Sequence, residues 1–444
     1  MKKYFSFLII VVLSIFLVSC GESSSEVSDK LSEKYIVKMA KTDLEKHLYN
    51  NEEYESFLMN VQEFSHLFSE AVYESYKEDE NFTVSPISVY MALAMTVEAT
   101  NGSTREEVLN ALGMSYEEVA TFTKNLFSDC NSTYIGQGKL GNKVIQGFED
   151  LKNSIWVDED IKFNDNALNS LADKFYTTAY QVPFQRKPNE AAKALQSYIK
   201  KQTRGLIDKE YEFSDETIFA IVNTYYLKEI WNEFGNELKF TKNDVRFTNY
   251  DNSNDMIKLL TGYYFNGKPY VTEKYSYAAT KTNHGFKLKF IIPNDGYTVD
   301  DIFNKEVLKE VNDLNNYLAT DDERREYNHT RCFFPEFEAE YDGDIKSILK
   351  NKMGIESLFN AQYADFSNLI DGRAYIEEVI HQTKLTVNRR GIEGAAVTVE
   401  LGAGAAGPGP YVDVYHNFYV NKAFAFIISD SNDTVLFSGV VKNV

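Results

Sequence analysis

The first half of the chain is patterned for helices. Apolar residues recur at spacings of three and four between residues 44 and 76, with Phe57 and Phe64 among them. That spacing places them on one helical face and predicts a long amphipathic helix. After a short strand at 81–84, the segment Val89–Glu98 is almost entirely small or apolar. It predicts a second helix that is buried on most sides.

The second half is patterned for strands. The segments 217–227, 286–292 and 424–428 have the density of β-branched and aromatic residues that is typical of central strands. No linker rich in Pro, Gly and Ser divides the interior of the chain. Together these patterns predict an α+β fold with a single domain over residues 44–444.

One stretch near the C-terminus, from Leu385 to Pro410, differs from the rest. It begins with strand formers, passes through small residues at 391–396, resumes strand character at 397–401, and then contains only Gly, Ala and Pro. Strand formers followed by residues that pack nothing predict an exposed loop that can become a strand. An ordinary flexible surface loop fits the same composition.

Composition and charge narrow the range of partners. The chain has 444 residues, of which 43% are hydrophobic and 25% are charged, as is ordinary for a globular protein with a large core. Its formal net charge of -20 argues against nucleic acid, because binding phosphates needs clustered Lys and Arg. The same charge disfavours direct contact with an anionic membrane surface.

The N-terminus has the composition of an export signal. Two lysines precede an apolar run that is too short to span a membrane as a mature helix. The run ends in Leu-Val-Ser-Cys at 17–20, which resembles a bacterial lipobox. The resemblance implies a signal peptide at 1–19, lipidation of Cys20, and a flexible tether over 20–43. We therefore expect an exported protein that contacts a membrane only through this lipid, at the bacterial outer membrane or cell surface. A plain secretory peptide with an incidental cysteine is the alternative.

Candidate catalytic chemistry is sparse. The sequence has no H-E-x-x-H, G-x-S-x-G, Walker A or C-x-x-C motif, and no two of its 6 histidines share metal-ligand spacing. We expect no enzyme activity, no catalytic residue, no metal and no cofactor. Cys130 and Cys332 are too far apart in sequence to define a disulfide, and we predict two buried thiols rather than a bridge. Trp156 and Trp231 are expected in the core.

From Asn81 the chain reads NFTVSPISVYMALAMTVEATNGSTREEVLNALG, which resembles the second helix, loop and third helix of the serpin family. Further segments resemble the family in its own order: Asn153–Val157, Leu195–Ile207, Val222–Lys228, Phe334–Phe337, Met353–Ile355, His381, Asn421–Phe424 and Val435–Gly439. The resemblance covers roughly Leu44 to Val444. It implies helices packed around a large mixed sheet and smaller sheets, with an exposed reactive-centre loop at about 389–417.

The resemblance implies that the protein is a monomeric suicide-substrate inhibitor of serine endopeptidases. A protease cleaves the loop, forms an acyl-enzyme, and is trapped when the freed loop inserts into the large sheet. The scissile bond by family spacing joins Ala405 and Ala406, and small Ala suits an elastase-like or subtilisin-like protease. Papain-like cysteine proteases are a second target class. The hinge where insertion begins comprises Gly391, Ile392, Glu393, Gly394, Ala395 and Ala396.

The loop departs from the family pattern at several positions. Arg389 and Arg390 stand where the family has acidic residues, and Ile392 stands where it has Thr or Ser. In an inserted strand Glu400 shares a face with Ile392 and would meet apolar core, which costs several kcal/mol for an unpaired charge. These departures keep open a second hypothesis, a non-inhibitory binding or scaffold lipoprotein of the same fold whose loop does not insert.

Overall fold

The structure is a computed structural model. It describes residues 31–44, 52–76, 79–137, 143–231, 237–314, 320–321, 326–377, 379–392 and 412–444. The α-helices of these residues are α1 (Glu52–Ser75), α2 (Pro86–Ala99), α3 (Gly102–Leu112), α4 (Tyr116–Asp129), α5 (Asp165–Lys174), α6 (Pro188–Gln202), α7 (Val299–Ile302), α8 (Lys305–Asp313) and α9 (Lys346–Asn351). Short 3₁₀ helices cover Leu31–Tyr35 and Ser357–Phe359.

The first two α-helices follow the sequence pattern. The apolar residues spaced by three and four along α1, from Phe57 to Val72, are all buried. Helix α2 begins at Pro86, whose fixed φ suits the first helical position, and Ser85 occupies the N-cap. Every residue of α2 except Ala92 is buried, as its uniformly apolar sequence predicts.

The strands in chain order are β1 (Ile36–Lys38), β2 (Phe82–Val84), β3 (Thr133–Gln137), β4 (Lys143–Asp158), β5 (Thr177–Val182), β6 (Phe219–Ile230), β7 (Lys239–Phe240), β8 (Val245–Thr248), β9 (Asn254–Ile257), β10 (Leu260–Asn266), β11 (Tyr270–Val271), β12 (Tyr275–Lys281), β13 (Lys287–Pro293), β14 (Thr320–Asp321), β15 (Glu326–Phe334), β16 (Phe337–Asp344), β17 (Ile380–Asn388), β18 (Gly391–Ile392), β19 (Val412–Tyr419), β20 (Phe424–Ser429) and β21 (Val435–Val441). The three segments predicted as central strands correspond to β6, β13 and β20.

The strands form one large mixed sheet and smaller sheets. One half of the large sheet has the order β1-β5-β4-β6-β18-β17-β16, and it joins β2-β21-β20-β13-β12-β11 through the parallel pair Glu340↔Phe82. A smaller sheet has the order β14-β15-β10-β7, with β19 parallel to β15. Strands β8 and β9 pair separately. The predicted α+β class is confirmed.

Apolar side chains pack on both faces of the large sheet. The main core lies on one face and takes residues from α1, α2 and most strands. On the other face, α6 covers a second cluster in which Trp156 stacks on Tyr180 at a ring-centroid distance of 4.0 Å. Trp156 and Trp231 are 0% and 3% exposed, so the prediction that they belong to the core is confirmed.

Residues 31–38, which lie inside the range predicted for the tether, form regular secondary structure. Residues 31–35 form a 3₁₀ helix, and β1 pairs antiparallel with β5. Leu31, Tyr35 and Ile36 pack on the cluster under α6, and Lys34 bonds Glu190 of α6 at 2.9 Å. The apolar side chains are buried against this cluster, and Lys34 pairs with a residue of opposite charge. These contacts stabilise a folded conformation of a segment whose overall composition is polar. The predicted signal peptide at 1–19 and Cys20 lie outside the described residues.

Both cysteines in the described part of the chain are buried thiols. Cys130 and Cys332 are free, as predicted. Burial raises the pKa of each thiol above its ordinary value, which makes both groups unreactive. Within the described ranges, no helix is both long and apolar enough to cross a membrane.

Candidate functional site

The first two hinge residues lie inside the large sheet. After β17, the chain turns at Arg389 and Arg390 and returns as β18, which pairs with β17 through Val387↔Ile392 and Asn388↔Gly391. On its other side β18 pairs with β6 through Gly391↔Ile230 and Ile392↔Glu229. The start of the loop is therefore a short strand between β6 and β17.

Gly391 is required by the close approach of β6. A Cβ built on Gly391 would stand 1.9 Å from the backbone carbonyl oxygen of Glu229, so no larger residue fits without movement of the backbone. Ile392, the next residue, is 0% exposed and packs in the main core. Its apolar side chain replaces the Thr or Ser expected there and suits a buried position.

The two arginines that reverse the family's charge have acidic partners. Arg389 Nε lies 2.9 Å from Glu237 Oε2, and Arg390 Nε lies 3.1 Å from Glu237 Oε1. The backbone N–H of Arg389 donates to Glu336 Oε1 at 2.8 Å, and the N–H of Leu238 donates to the Arg389 carbonyl oxygen at 2.7 Å. The turn into β18 is thus held by a charge arrangement opposite to the one expected of the family.

Beside the turn, Trp231 and a buried contact between Glu229 and His284 fix the end of β6. The indole Nε1 of Trp231 donates to the Asn388 carbonyl oxygen at 2.6 Å, which ties β6 to the last residue of β17. Glu229 is 0% exposed, and its Oε1 lies 2.6 Å from His284 Nδ1. The ring of Tyr134 stacks on His284 at a centroid distance of 4.2 Å.

A second buried carboxylate, Glu149 on β4, extends this polar layer. It accepts hydrogen bonds from Tyr225 OH at 2.8 Å and Tyr134 OH at 3.0 Å. Burial, with a smaller contribution from the charge of Asp430, raises the pKa of Glu149 to about 8. The carboxyl group is therefore held largely in its neutral form at pH 7.

Beyond β18 the two strands are separated by a cleft. Among the described residues no ladder pair joins β6 directly to β17, and β18 is the strand between them. The cleft has a volume of about 190 Å³ and is lined by residues 219–226 of β6 and by Gln382, Thr383 and Lys384 of β17. Backbone edges of both strands face this space.

A segment after α6 covers the cleft from outside and bonds across it. Residues 211–214 line the cleft. The hydroxyl of Tyr211 donates to Gln382, and Lys209 pairs with Asp342 on β16. This cover reaches the sheet through side-chain bonds, which can break without loss of the sheet's own ladders.

Polar side chains gather at the floor of the cleft. The imidazole Nε2 of His381 accepts from the Ser85 N–H at 3.2 Å and lies 3.0 Å from Thr383 Oγ1. Across the cleft, Asn223 of β6 bonds Ser88 Oγ and donates to Asn153 Oδ1 at 2.6 Å. Burial lowers the pKa of His381 to about 4, so the ring is neutral at pH 7. His381 is thus a buried histidine of β17 that bonds Ser85, a structural role beside the large sheet.

Two hydroxyls at the cleft have no hydrogen-bond partner among the residues that the structure describes. The Oγ of Ser85 and the Oγ1 of Thr224 are buried and unsatisfied, and both residues line the cleft. An unsatisfied buried hydroxyl is costly, so a polar group entering the cleft would gain by bonding them. The arrangement can accept one more β-strand, which would pair with the edges of both β6 and β17.

The structure brings together some of the predicted site residues. Gly391 and Ile392 of the hinge lie between β6 and β17, whereas the other predicted hinge residues, 393–396, lie outside the described residues, as do Ala405 and Ala406. Strand β19 begins at Val412, inside the range given for the loop. No cluster of three or more His, Cys, Asp and Glu suited to a metal occurs in the part of the chain that the structure describes.

Sequence reasoning missed the residues that hold the turn and the polar layer behind it. Glu237 and Glu336 are distant in sequence from the arginines they bind, and no motif in the sequence distinguishes Glu149 or Glu229. The one available signal was the reversed charge at residues 389–390, which calls for acidic partners somewhere in the fold.

Comparison with known proteins settles the family. The family model described as "Serpin (serine protease inhibitor)" matches residues 59–444. The chain belongs to the serpin family. It is 24% identical to alpha-1-antitrypsin of Sus scrofa over 379 residues, which cover 82% of this chain and 81% of that protein. An uncharacterized serpin-like protein of Methanosarcina acetivorans is 23% identical over 381 residues, 82% of each chain.

A solved serpin has the same fold. The native state of tengpin, a thermophilic serpin, superposes with a TM-score of 0.71 at 21% identity, covering 93% of this chain and 99% of tengpin. The predicted serpin fold is thereby confirmed. Serpins are generally protease inhibitors rather than enzymes, although some members are non-inhibitory, so the activity of this member rests on its own loop and cleft.

Proposed function

We propose that this serpin is a suicide-substrate inhibitor of serine endopeptidases that acts by loop cleavage, covalent trapping and strand insertion. The observation that carries the proposal is the position of β18. Its two residues already pair with β6 and β17 at one end of the cleft. In the rest of the cleft, the described residues provide no strand between β6 and β17. After cleavage, insertion can therefore proceed by extending β18.

The register of β18 supports the fit of the remaining loop. Both pairings are antiparallel, so each further loop residue faces a residue one step back along β6 and along β17. Six residues beyond Ile392, Thr398 would face Asn223 and His381. A hydroxyl would thus enter the polar floor, where the Oγ of Ser85 has no hydrogen-bond partner among the described residues.

The small residues of the loop suit the same path. Between Ile392 and Thr398, the core-facing positions are Gly394 and Ala396. They would face Leu227 and Tyr225 of β6, which are large and already packed. An inserted strand from Gly391 to Ala405 would be about 50 Å long at roughly 3.3 Å per residue. Pairing both of its edges makes the inserted state the lower in energy, so the uncut fold is kinetically trapped.

The target follows from the loop's side chains. We place the scissile bond between Ala405 and Ala406, and Ala suits a protease with a shallow primary pocket, of elastase or subtilisin type. No Lys or Arg occurs between Gly391 and Val420, which disfavours trypsin-like targets. Papain-like cysteine proteases form a second class of target. We further propose that the protein acts as an exported monomer anchored through a lipid on Cys20 at the bacterial outer membrane or cell surface.

The rival is a binding or scaffold protein whose loop does not insert. Denaturing gels after incubation of the chain without residues 1–19 with a pancreatic elastase or a subtilisin separate the two. A covalent complex that survives denaturation is expected of an inhibitor, whereas cleaved chain alone at every molar ratio contradicts the proposal. Loop cleavage should also raise the melting temperature sharply, and an unchanged value after clean cleavage would mean that the loop stays out.

A hinge variant provides the matched control. Ala396→Arg places a long charged side chain where a core-facing residue must enter, so it should block insertion while leaving the cleavage site intact. We expect the variant to be cleaved as a substrate with no covalent complex. Retained inhibition would show that the assigned hinge is wrong.

A further inference from the structure

The smaller sheet exposes an aromatic surface next to the end of the loop. Strand β19 pairs with β15 in the register Tyr415↔His329, Asn417↔Arg331 and Tyr419↔Phe333. These side chains share one face of the sheet, because alternate residues of a strand point the same way. On the adjacent strand β10, Tyr264 pairs with Arg331 and joins them. We call this surface the tyrosine face; it comprises Tyr264, His329, Arg331, Phe333, Tyr415, Asn417 and Tyr419.

The tyrosine face is open where the opposite face is packed. The alternating partners on β15, from Asn328 to Phe334, are buried, and Cys332 is 0% exposed. In contrast, Tyr415, Tyr419 and Tyr264 are 59%, 44% and 36% exposed. A contiguous exposed aromatic patch of this kind on a protein otherwise rich in acidic surface marks a place where a partner binds.

The composition of the tyrosine face favours a protein as that partner. The rings of His329 and Tyr415 stack at 5.0 Å with an interplanar angle of 18°, and those of Phe333 and Tyr419 stack at 4.6 Å and 11°. Each ring therefore covers one face of its neighbour and helps to hold it in place. Aromatic residues and Arg, which this surface combines, are enriched in protein interfaces.

Arg331 adds a group suited to the centre of such an interface. Its guanidinium lies over the Tyr264 ring, with Cζ 4.1 Å from the ring centroid. Its Nε is buried and has no hydrogen-bond partner within the described part of the chain. The side chain is thus held in place by the aromatic ring, and a carboxylate or carbonyl of a partner can bind the fork that remains.

Chain length connects the tyrosine face to the proposed site of cleavage. The described chain resumes at Val412, and the six residue-to-residue steps from Ala406 to Val412 span about 20 Å in an extended conformation. A protease domain of about 220 residues has a radius of gyration near 17 Å. A protease that holds the proposed scissile bond therefore lies within reach of β19 and its outward side chains.

We infer that the tyrosine face is an exosite, a second surface that binds the protease while the loop occupies its active site. This inference rests on the proposed function only in that a protease must attack the loop. The exosite selects among proteases that share the same primary pocket, since contacts to Tyr415, Tyr419 and Arg331 lie outside that pocket. It accelerates the first encounter and leaves insertion unchanged.

The test measures the second-order rate constant for loop attack, which counts complex and cleaved chain together, with a pancreatic elastase and with a subtilisin. The variants are Tyr415→Ala with Tyr419→Ala, and separately Asn417→Arg, which adds bulk to the tyrosine face without removing packing. Tyr363→Ala is the control, because Tyr363 is 65% exposed on a turn bonded to α3 rather than on this sheet. Melting temperatures check that each variant is folded.

We expect a loss of tenfold or more with one of the two proteases, a clearly smaller loss with the other, and no loss in the control. Unchanged rates, or equal losses with both proteases, overturn the exosite, since a merely altered anchoring of β19 would affect both alike. If the proteases cleave the loop without forming a covalent complex, the proposed inhibition is wrong. The rate constants for cleavage then still test the exosite. If neither protease attacks the loop, both proposals fall. Wild-type dimers that the variants abolish would reassign the tyrosine face to contact between two copies.

Discussion

Gly391 lies against Glu229 so closely that its missing side chain is a structural requirement. The position of a Cβ on Gly391 is 1.9 Å from the Glu229 carbonyl oxygen, and that contact occurs where the loop enters the sheet. The change Gly391→Ala should therefore expel β18 or displace β6, at a cost of about 1–3 kcal/mol for overpacking. Hydrogen exchange at the amides of Ile392 and Ile230 should increase, as both belong to this ladder.

Thr386→Ala on β17 serves as the control for that change, since it removes side-chain atoms from a strand without touching β6. It should leave exchange at Ile392 as in the wild type. If Gly391→Ala also leaves the exchange rates and the melting temperature unaltered, the close approach of the loop to β6 is not a feature of the protein in solution.

The turn into β18 is held by ion pairs. We expect them to contribute little to the global free energy of unfolding but to slow hydrogen exchange at the turn. Glu237 binds both Arg389 and Arg390 at about 34% exposure of its side chain. Exposed pairs contribute about 0–1 kcal/mol, so Glu237→Gln should hardly move the melting temperature. It should nevertheless accelerate hydrogen exchange at Gly391 and Ile392, with an effect that fades at high salt.

A charge-reversed triple variant distinguishes the electrostatic contribution of these side chains in the turn from the effect of their size. Arg389→Glu and Arg390→Glu alone place like charges beside Glu237 and Glu336, and should open the turn further than Glu237→Gln does. Adding Glu237→Arg should restore part of the protection. Equal exchange rates in all of these variants would mean that the ion pairs do not hold the turn.

Glu400 should limit the last steps of insertion. Eight residues beyond Ile392, the register of β18 sets Glu400 between Ile221 and Val379. These two residues line a small apolar cavity of about 30 Å³ together with residues of α2. An unpaired carboxylate there costs several kcal/mol, so Glu400→Val should speed insertion and reduce the fraction of inhibitor lost as cleaved substrate.

Gel densitometry of complex against cleaved chain measures that fraction. Glu393→Gln is the matched control, because residue 393 falls on the opposite face of an inserted strand, opposite Lys228 rather than in the main core. A Glu400→Val chain that partitions between complex and cleaved product like the wild type would show that the strand does not insert in this register or not to this depth.

The stability of the native state should decrease as the pH rises from 6.5 to 8. Burial raises the pKa of Glu149 to about 8 from an ordinary value of 4.5, so over this range the unfolded chain is ionised while the native chain keeps the proton. Stability from this group is complete below pH 4.5 and is lost as the pH passes 8. The expected slope is at most about 1.4 kcal/mol per pH unit from one proton.

Glu149→Gln should flatten that slope, as measured by chemical denaturation at a series of pH values, and Glu216→Gln, at an exposed position, should not. The range begins at pH 6.5 because His381, whose pKa burial lowers to about 4, has the opposite effect below it. Asp430, with its pKa raised by burial to about 7, adds to the fall only in the lower part of the range. A wild-type slope that persists in Glu149→Gln would exclude this carboxyl group as its source.

Much of the fold could be read from local pattern. Helix α2, with Pro86 at its first position and an apolar sequence throughout, and the central strands β6, β13 and β20 were predicted because each buries its own side chains in a regular period. Residues 31–38 escaped prediction, since their burial depends on Tyr180 and Glu190, which are far away in sequence.

The candidate site divides in the same way. Sequence by itself determined the small residues of the loop, the glycine at its hinge and the reversed charges at residues 389–390, because these are properties of single positions. Tertiary structure decided that β18 lies between β6 and β17 and that Glu237 pairs with both arginines. It also decided that a cleft with a polar floor lies between β6 and β17 beyond β18. The pairing of β18 with β6 joins residues that lie more than 150 positions apart in the sequence. Such long-range pairing depends on which strand edges meet when the whole core packs, and a local sequence pattern carries no information about that.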